Sequence, residues 1–327
     1  MTPQLAWVGL GNMGRGLAFN LVSRGPLNGK PLIVYNRTAS RFDDFLSSLS
    51  PSDKAKVLLA SSAEAAAKDA DVIFTSFGDD QSVVDMYDKL LAGCNGKIEG
   101  KLFAETSTVL PDTTEKLSRK IQEAGGMYVA MPIFGPPAMA KAGTVVVVLA
   151  GPASAVARLK PYTDGVISRM TIDLSDEPVG KAALLKIAGN TFILSMVETL
   201  AEGLVFAEKT GLGITHLHKF IESVMGGPFT AYSKRMAEGA YMTDEPLFSV
   251  PLATKDATHA INLAAASGAP GILKVTQAIV DHMKKVPEVS GKKADSADFA
   301  AVYGVVRTEA GLEFDNGSLG EVDLRLL

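Results

Sequence analysis

Short apolar runs alternate with segments of helical periodicity along the first half of the chain. Residues 5–8, 32–35, 72–75 and 102–104 are continuous apolar runs, and residues 13–23, 40–48, 81–91 and 112–124 carry helical spacing between and after them. Two further runs, 128–131 and the β-branched 144–148, also read as strands. Strands covered on both faces are apolar throughout rather than alternating. The pattern therefore predicts a parallel sheet assembled from βαβ units.

The character of the chain changes near residue 179. Residues 181–209, 214–224, 229–239, 253–267 and 272–285 all have helical spacing, and no strand is expected among them. Gly211, Gly226, Gly227, Pro228, Gly268, Pro270 and Pro287 punctuate these segments. The expected fold class is α/β: an N-terminal Rossmann-type parallel-sheet domain over residues 1–178, then an all-α C-terminal domain over residues 179–327. The most apolar stretch, 181–206, is interrupted by Lys186, Asn190, Glu198 and Glu202, so it is expected to be a buried core helix and not a membrane span.

Composition narrows the class. A chain of 327 residues has room for two domains, and 47% hydrophobic with 21% charged residues fits a globular protein. The net charge of −4 and the scattering of Lys and Arg argue against nucleic acid and against an anionic membrane as partners. Cys94 is the single cysteine, so no disulfide framework, thiolate cluster or other metal site is expected, and a reducing compartment is the default. Residues 1–4 run straight into the first apolar run, and Leu324-Arg325-Leu326-Leu327 does not spell the peroxisomal Ser-Lys-Leu address. The expected location is therefore cytoplasmic.

Candidate chemistry begins at the first strand. Gly9-Leu10-Gly11-Asn12-Met13-Gly14 is a G-x-G-x-x-G between a predicted strand and a predicted helix. The first glycine permits a tight turn, the second lets backbone approach a pyrophosphate, and the third lets helix pack closely on strand. The free N–H groups of the helix end then face the phosphates. An NAD site usually places Asp or Glu at the end of the second strand to hold the ribose 2′-OH. Here that position reads Asn36-Arg37-Thr38. Asn36 does not repel a 2′-phosphate, Thr38 can donate to it, and Arg37 can pair with it, so NADP(H) is the expected cofactor.

The second candidate is Lys186, four residues before Asn190 in an apolar helix and therefore on the same face. A lysine held among Leu185, Ile187, Ile193 and Leu194 has a destabilised charge and becomes a better proton donor. Reduction of a carbonyl needs such a donor for the oxygen on which charge builds. Composition alone favours a plainer reading, a lysine that snorkels at the helix edge.

Together the two motifs resemble the β-hydroxyacid dehydrogenase family, which includes 3-hydroxyisobutyrate, tartronate semialdehyde and glyoxylate/succinic semialdehyde enzymes. The glycine turn with its Ala18-Phe19-Asn20-Leu21 tail is similar to the family's cofactor signature. The resemblance implies cofactor contacts at Phe77, Gly78 and Ser82, at Thr108 in the segment 105–111, and at Lys255. It implies that Lys186 is the general acid/base and that Asn190 positions the substrate. The family's substrate loop usually reads Asp-Ala-Pro-Val-Ser-Gly-Gly, whereas residues 130–136 here include Phe134, Gly135 and Pro136. Proline has no N–H to donate, so one arm of a carboxylate grip is missing, and Phe134 either walls the pocket or simply packs the loop. Gly189 also replaces the first of the usual paired asparagines.

The expected activity is NADPH-dependent hydride transfer to a small aldehyde or semialdehyde, or the reverse oxidation of a β-hydroxy acid, by a homodimer. An imine reductase-like enzyme with an apolar pocket is the rival within oxidoreductases. A decarboxylating 6-phosphogluconate-type enzyme fits less well, since Gly189 stands where its histidine is expected. A non-catalytic NADP(H)-binding scaffold or sensor is the alternative outside enzymes, and the joint presence of Lys186, Asn190 and Lys255 argues against it.

Overall fold

A computed structural model of the chain describes residues 2–96, 98–243 and 246–316, so the terminal tetrapeptide 324–327 lies outside the described residues. The chain divides into two compact units, Met1–Lys186 and Ile187–Leu327.

The first unit begins β1 (Leu5–Val8), α1 (Asn12–Arg24), β2 (Leu32–Tyr35), α2 (Ser40–Ser47), α3 (Pro51–Lys54), β3 (Val57–Leu59), α4 (Ala63–Lys68) and β4 (Val72–Thr75). It continues α5 (Asp80–Gly93), β5 (Leu102–Glu105), α6 (Pro111–Glu123), β6 (Met127–Ala130), β7 (Ile133–Phe134), α7 (Pro137–Ala142), β8 (Val145–Gly151), α8 (Ala153–Thr163) and β9 (Ser168–Ser175). The strands lie in the order β3-β2-β1-β4-β5-β6-β8-β7, with β9 paired to β8. Alternate residues of β1 reach opposite faces. Leu5 and Trp7 join one buried cluster with Leu17, Leu21 and Phe74, while Ala6 and Val8 join another with Tyr87, Phe103 and Tyr128. Helices cover both faces, which is why the central strands are apolar without alternation.

The sheet departs from the expected all-parallel arrangement. Strands β1 to β6 pair in parallel, but β8 is antiparallel to β6 and β7. Only two residues separate β6 from β7, and the six-residue α7 then reverses the chain. That connection is too short for the crossover a parallel neighbour needs. Strands β3, β7 and β9 carry no clear sequence signal. Strand β3 is three residues long with Leu58 and Leu59 exposed, and β9 alternates polar residues along the sheet margin.

Helix α9 (Gly180–Lys209) runs through the division between the units. The second unit continues α10 (Ile214–Phe220), α11 (Gly227–Ala237), α12 (Val250–Ala266), α13 (Lys274–Ser290) and α14 (Val302–Glu309). Its core gathers Leu194, Val197, Leu204, Met236, Tyr241, Met283, Phe299 and Tyr303. Among the described residues after 179 no strand occurs; a lone bridge joins Ser249 and Asp298. Pro287 does not end a helix. It sits within the last turn of α13, which stops at Gly291 in the left-handed region, so only one late backbone hydrogen bond is lost. Helix α9 is long and apolar enough to cross a membrane by length and composition. As expected of a core helix it buries Leu194, Val197, Leu200 and Leu204, but it also leaves Leu184, Phe192 and Phe206 exposed in the single chain.

Candidate active site

The glycine turn follows β1 at the carboxyl edge of the sheet. Gly9 adopts φ +106°, and a Cβ there would lie 2.1 Å from the Ser76 carbonyl oxygen, so no other residue fits without moving the loop after β4. A Cβ on Gly14 would lie 2.1 Å from the Gly9 oxygen, which already accepts a 2.8 Å hydrogen bond from Trp7 Nε1. Gly11 meets nothing within 4 Å, leaving its backbone open to approach. Gly11 is also the N-cap of α1, and no side chain caps that helix. The first-turn N–H groups have no intrahelical partner by construction, so an anion is their natural acceptor. Asn12 and Met13 lie in this first turn, with Asn12 exposed and Met13 half-buried. Glycines required by close backbone contact, beside an open uncapped helix end, fit the pyrophosphate of a dinucleotide.

Asn36 supports this turn directly. Its Oδ1 accepts the Leu10 N–H at 2.8 Å and its amide donates to the Thr38 carbonyl at 2.9 Å. Arg37 and Thr38 are exposed at the end of β2. At the end of β2, one side chain therefore shapes the glycine turn and the next two are exposed.

On the other side of β1, the loops after β4 and β5 are joined. Phe77 is half-buried, and its N–H donates to Ser107 Oγ at 2.7 Å. Gly78 is exposed, and Thr108 is half-buried on the loop after β5. Ser82 lies in the first turn of α5, its N–H donating to the capping Asp79 carboxylate at 2.7 Å. Asp80 spans the same gap, accepting from Leu110 N–H at 2.9 Å and from Thr113 Oγ1 at 2.6 Å. Beneath the loops lies Glu105, 2% exposed. It accepts from Thr75 Oγ1 at 2.7 Å and from the Ser107 N–H at 2.6 Å. Burial pushes its carboxyl up to about 7, opposed by the hydrogen bonds from Ser107, Thr75 and Tyr87. The buried phenols of Tyr87 and Tyr128 are also pushed well above their usual range, first by burial and then by the charge of Glu105. Glu105, Ser107 and Asp80 have no assigned role in the sequence reading. The visible signal was an acidic residue closing an apolar strand.

Lys186 is half-buried on α9, with its Nζ 4.6 Å from the centroid of the Phe134 ring. An ammonium over an aromatic face is attracted to the ring electrons. Phe134 ends β7, just beyond β6, and β6 is parallel to β5, so this contact also lies past the carboxyl edge of the sheet. Gly135, at φ +138°, and Pro136 are exposed next to it. The first turn of α9 is anchored by the Gly180 N–H, which donates to Glu115 at 2.9 Å.

In the second unit, Asn190 and Lys255 converge on Asp256. The Asn190 amide donates to Asp256 Oδ2 at 2.6 Å, and Lys255 Nζ lies 3.1 Å from Oδ1. Asn190 and Asp256 are both buried, at 7% and 3% exposure. Asp256 fixes both predicted polar groups at once. It directly follows Lys255 in the chain and has no role in the sequence reading.

The strand order and the glycine turn define a dinucleotide-binding α/β domain, and the family matches make the chain an oxidoreductase. Residues 4–172 match the model of the NAD binding domain of 6-phosphogluconate dehydrogenase, and residues 180–304 match the NAD-binding region of NADP-dependent 3-hydroxyisobutyrate dehydrogenase. The NADH-dependent oxidoreductase ucdB of Aspergillus ustus is 31% identical over 92% of this chain and 98% of its own. The uncharacterized oxidoreductase YfjR of Bacillus subtilis is 30% identical over 93% of this chain and 100% of its own. The solved 3-hydroxyisobutyrate dehydrogenase of Mycobacterium tuberculosis shares the fold, with a TM-score of 0.73 at 24% identity over 94% of this chain and 100% of that one. The chain belongs to the β-hydroxyacid dehydrogenase family of NAD(P)-dependent oxidoreductases.

Proposed function

We propose that the protein is an NADPH-dependent reductase of a small aldehyde or semialdehyde, or runs the reverse oxidation of a β-hydroxy acid. The observation that carries this reading is the position of Lys186, whose ammonium lies against Phe134 beyond the carboxyl edge of the sheet. Ligands of open α/β sheets bind at that edge. When bound, the nicotinamide supplies the hydride. Lys186 then holds the proton that the carbonyl oxygen takes up, and gives it from Nζ as charge builds there. Asn190, turned by Asp256, orients the substrate, and Lys255 holds the nicotinamide ribose. Gly9 to Gly14, Phe77, Gly78, Ser82 and Thr108 form the rest of the cofactor site. The functional domains in this reading are residues 1–178 for the cofactor and 179–327 for the substrate and the dimer.

Exposed Arg37 and Thr38, with no carboxylate at residue 36, favour a 2′-phosphate. The relative ucdB is named for NADH, so the two cofactors are compared directly in the test. Phe134 against Lys186, and Pro136 without an N–H, favour a carbonyl substrate with an apolar substituent over a small hydroxy acid. The purified protein is offered succinic semialdehyde, glyoxylate, an aromatic aldehyde and a cyclic imine with NADPH and with NADH, following cofactor absorbance. Carbonyl turnover with NADPH preferred is expected. Turnover of the imine alone contradicts the reading in favour of imine reduction, and turnover of nothing favours a cofactor-binding scaffold.

A further inference from the structure

The strand order β2-β1-β4-β5 constrains where each end of a dinucleotide lies. The chain reverses its direction of sheet growth between β1 and β4, and the glycine turn sits at that switch point. With the adenosine on the β2 side, the nicotinamide end extends over the loops after β4 and β5. Those two loops have no covalent reason to keep one register, because α5 lies between them. The β4–β5 ladder sets the strand ends, with Thr75 opposite Glu105; beyond it the two loops are joined by side-chain ties.

One tie runs through a buried chain of hydrogen bonds. Glu105, at the last position of β5, accepts the Ser107 N–H at 2.6 Å, and Ser107 Oγ accepts the Phe77 N–H at 2.7 Å. The other carboxylate oxygen accepts from Thr75 Oγ1 at the last position of β4, which also meets Tyr87 OH at 3.0 Å. The Thr106 side chain adds a 2.7 Å bond to the Thr75 carbonyl. Glu105 is 2% exposed and Ser107 is 7% exposed, so both act from beneath the loops and not at their surface. A buried carboxylate carries a large desolvation cost, and a fold that needed only an apolar strand end would have no use for it.

We propose that Glu105 is a positioning residue for the dinucleotide: through Ser107 it sets the loops after β4 and β5 in one register, so that both receive the nicotinamide end together. Ser107 is the relay, since its N–H is held by one loop partner while its hydroxyl holds the other. The carboxyl oxygen facing Ser107 is the essential atom. A glutamine at this position keeps that acceptor and turns its amide toward Thr75, whose hydroxyl is left to the Ala104 carbonyl at 3.3 Å. Alanine keeps neither. This inference rests on the reading that the Phe77 and Thr108 loops receive the nicotinamide end, and its test reads binding and not turnover.

The wild type, Glu105→Ala, Glu105→Gln and Ser107→Ala are titrated calorimetrically with NADPH and with 2′-phospho-ADP-ribose, which lacks nicotinamide. NADH and ADP-ribose are run beside them, so a different cofactor preference does not obscure the result. Glu105→Ala is expected to weaken the dinucleotide tenfold or more and the truncated ligand less than twofold. Ser107→Ala is expected to weaken the dinucleotide several-fold with the same selectivity, and Glu105→Gln to bind both ligands within threefold of wild type. Equal loss of both ligands means a merely structural role and overturns the proposal. Unchanged dinucleotide binding in Ser107→Ala also overturns it, as does Glu105→Gln binding as weakly as Glu105→Ala. Should Glu105→Ala fail to fold, Ser107→Ala and Glu105→Gln decide the matter alone.

Discussion

At the end of β2, Asn36, Arg37 and Thr38 serve different ends. Asn36 spends its side chain on Leu10 and Thr38, shaping the glycine turn, while Arg37 is exposed and is the residue proposed to meet the 2′-phosphate. A charge-assisted contact of this kind contributes about 1.5–3 kcal/mol, which is roughly 10- to 100-fold in affinity. Arg37→Ala is therefore expected to raise the KM for NADPH by roughly that factor and to leave the KM for NADH within about threefold. Equal changes for both cofactors refute the assignment of Arg37 to the 2′-phosphate. The glycine turn was legible in the sequence because its geometry follows from residue type and spacing. Glu105 and Asp256 were not. Each stands near a predicted cofactor residue, but its importance comes from burial and from partners 30 to 66 residues away in sequence, such as Thr75 and Asn190.

At the level of elements, α1, α5, α6 and α9 begin and end within a residue or two of where periodicity places them. The strands that escaped have weak patterns: three-residue β3, two-residue β7, and β9, whose stability comes from pairing along β8; helices α3, α4, α7, α8 and α14 also went unread. Helix α9 is a core helix on part of its circumference only. Leu184, Phe192 and Phe206 fall within an arc of about 80° at 100° per residue. All three are exposed in the single chain. An apolar stripe of this kind on a helix is suited to a second copy. The proposed homodimer then predicts a light-scattering mass of twice the chain, falling toward one chain in Phe192→Asp. A wild-type mass of one chain contradicts it.

For the molecule as a whole, the change of pattern near residue 179 announces two units of different construction, and contacts divide the chain at Lys186. The sheet unit owes its site to topology: every predicted cofactor residue except Lys255 follows β1, β2, β4 or β5 at one edge. Within the helical unit, Asn190 and Lys255 meet at Asp256. What links the fold to chemistry is the claim that Lys186 gives the proton. General acid catalysis by a positioned side chain contributes about 10²- to 10⁴-fold. The direct measurement is the turnover of Lys186→Ala on the carbonyl substrate best reduced by the wild type, with cofactor affinity titrated in the same preparation. The account predicts a fall in kcat of at least about 100-fold with the cofactor Kd unchanged within twofold. A kcat within threefold of wild type contradicts it.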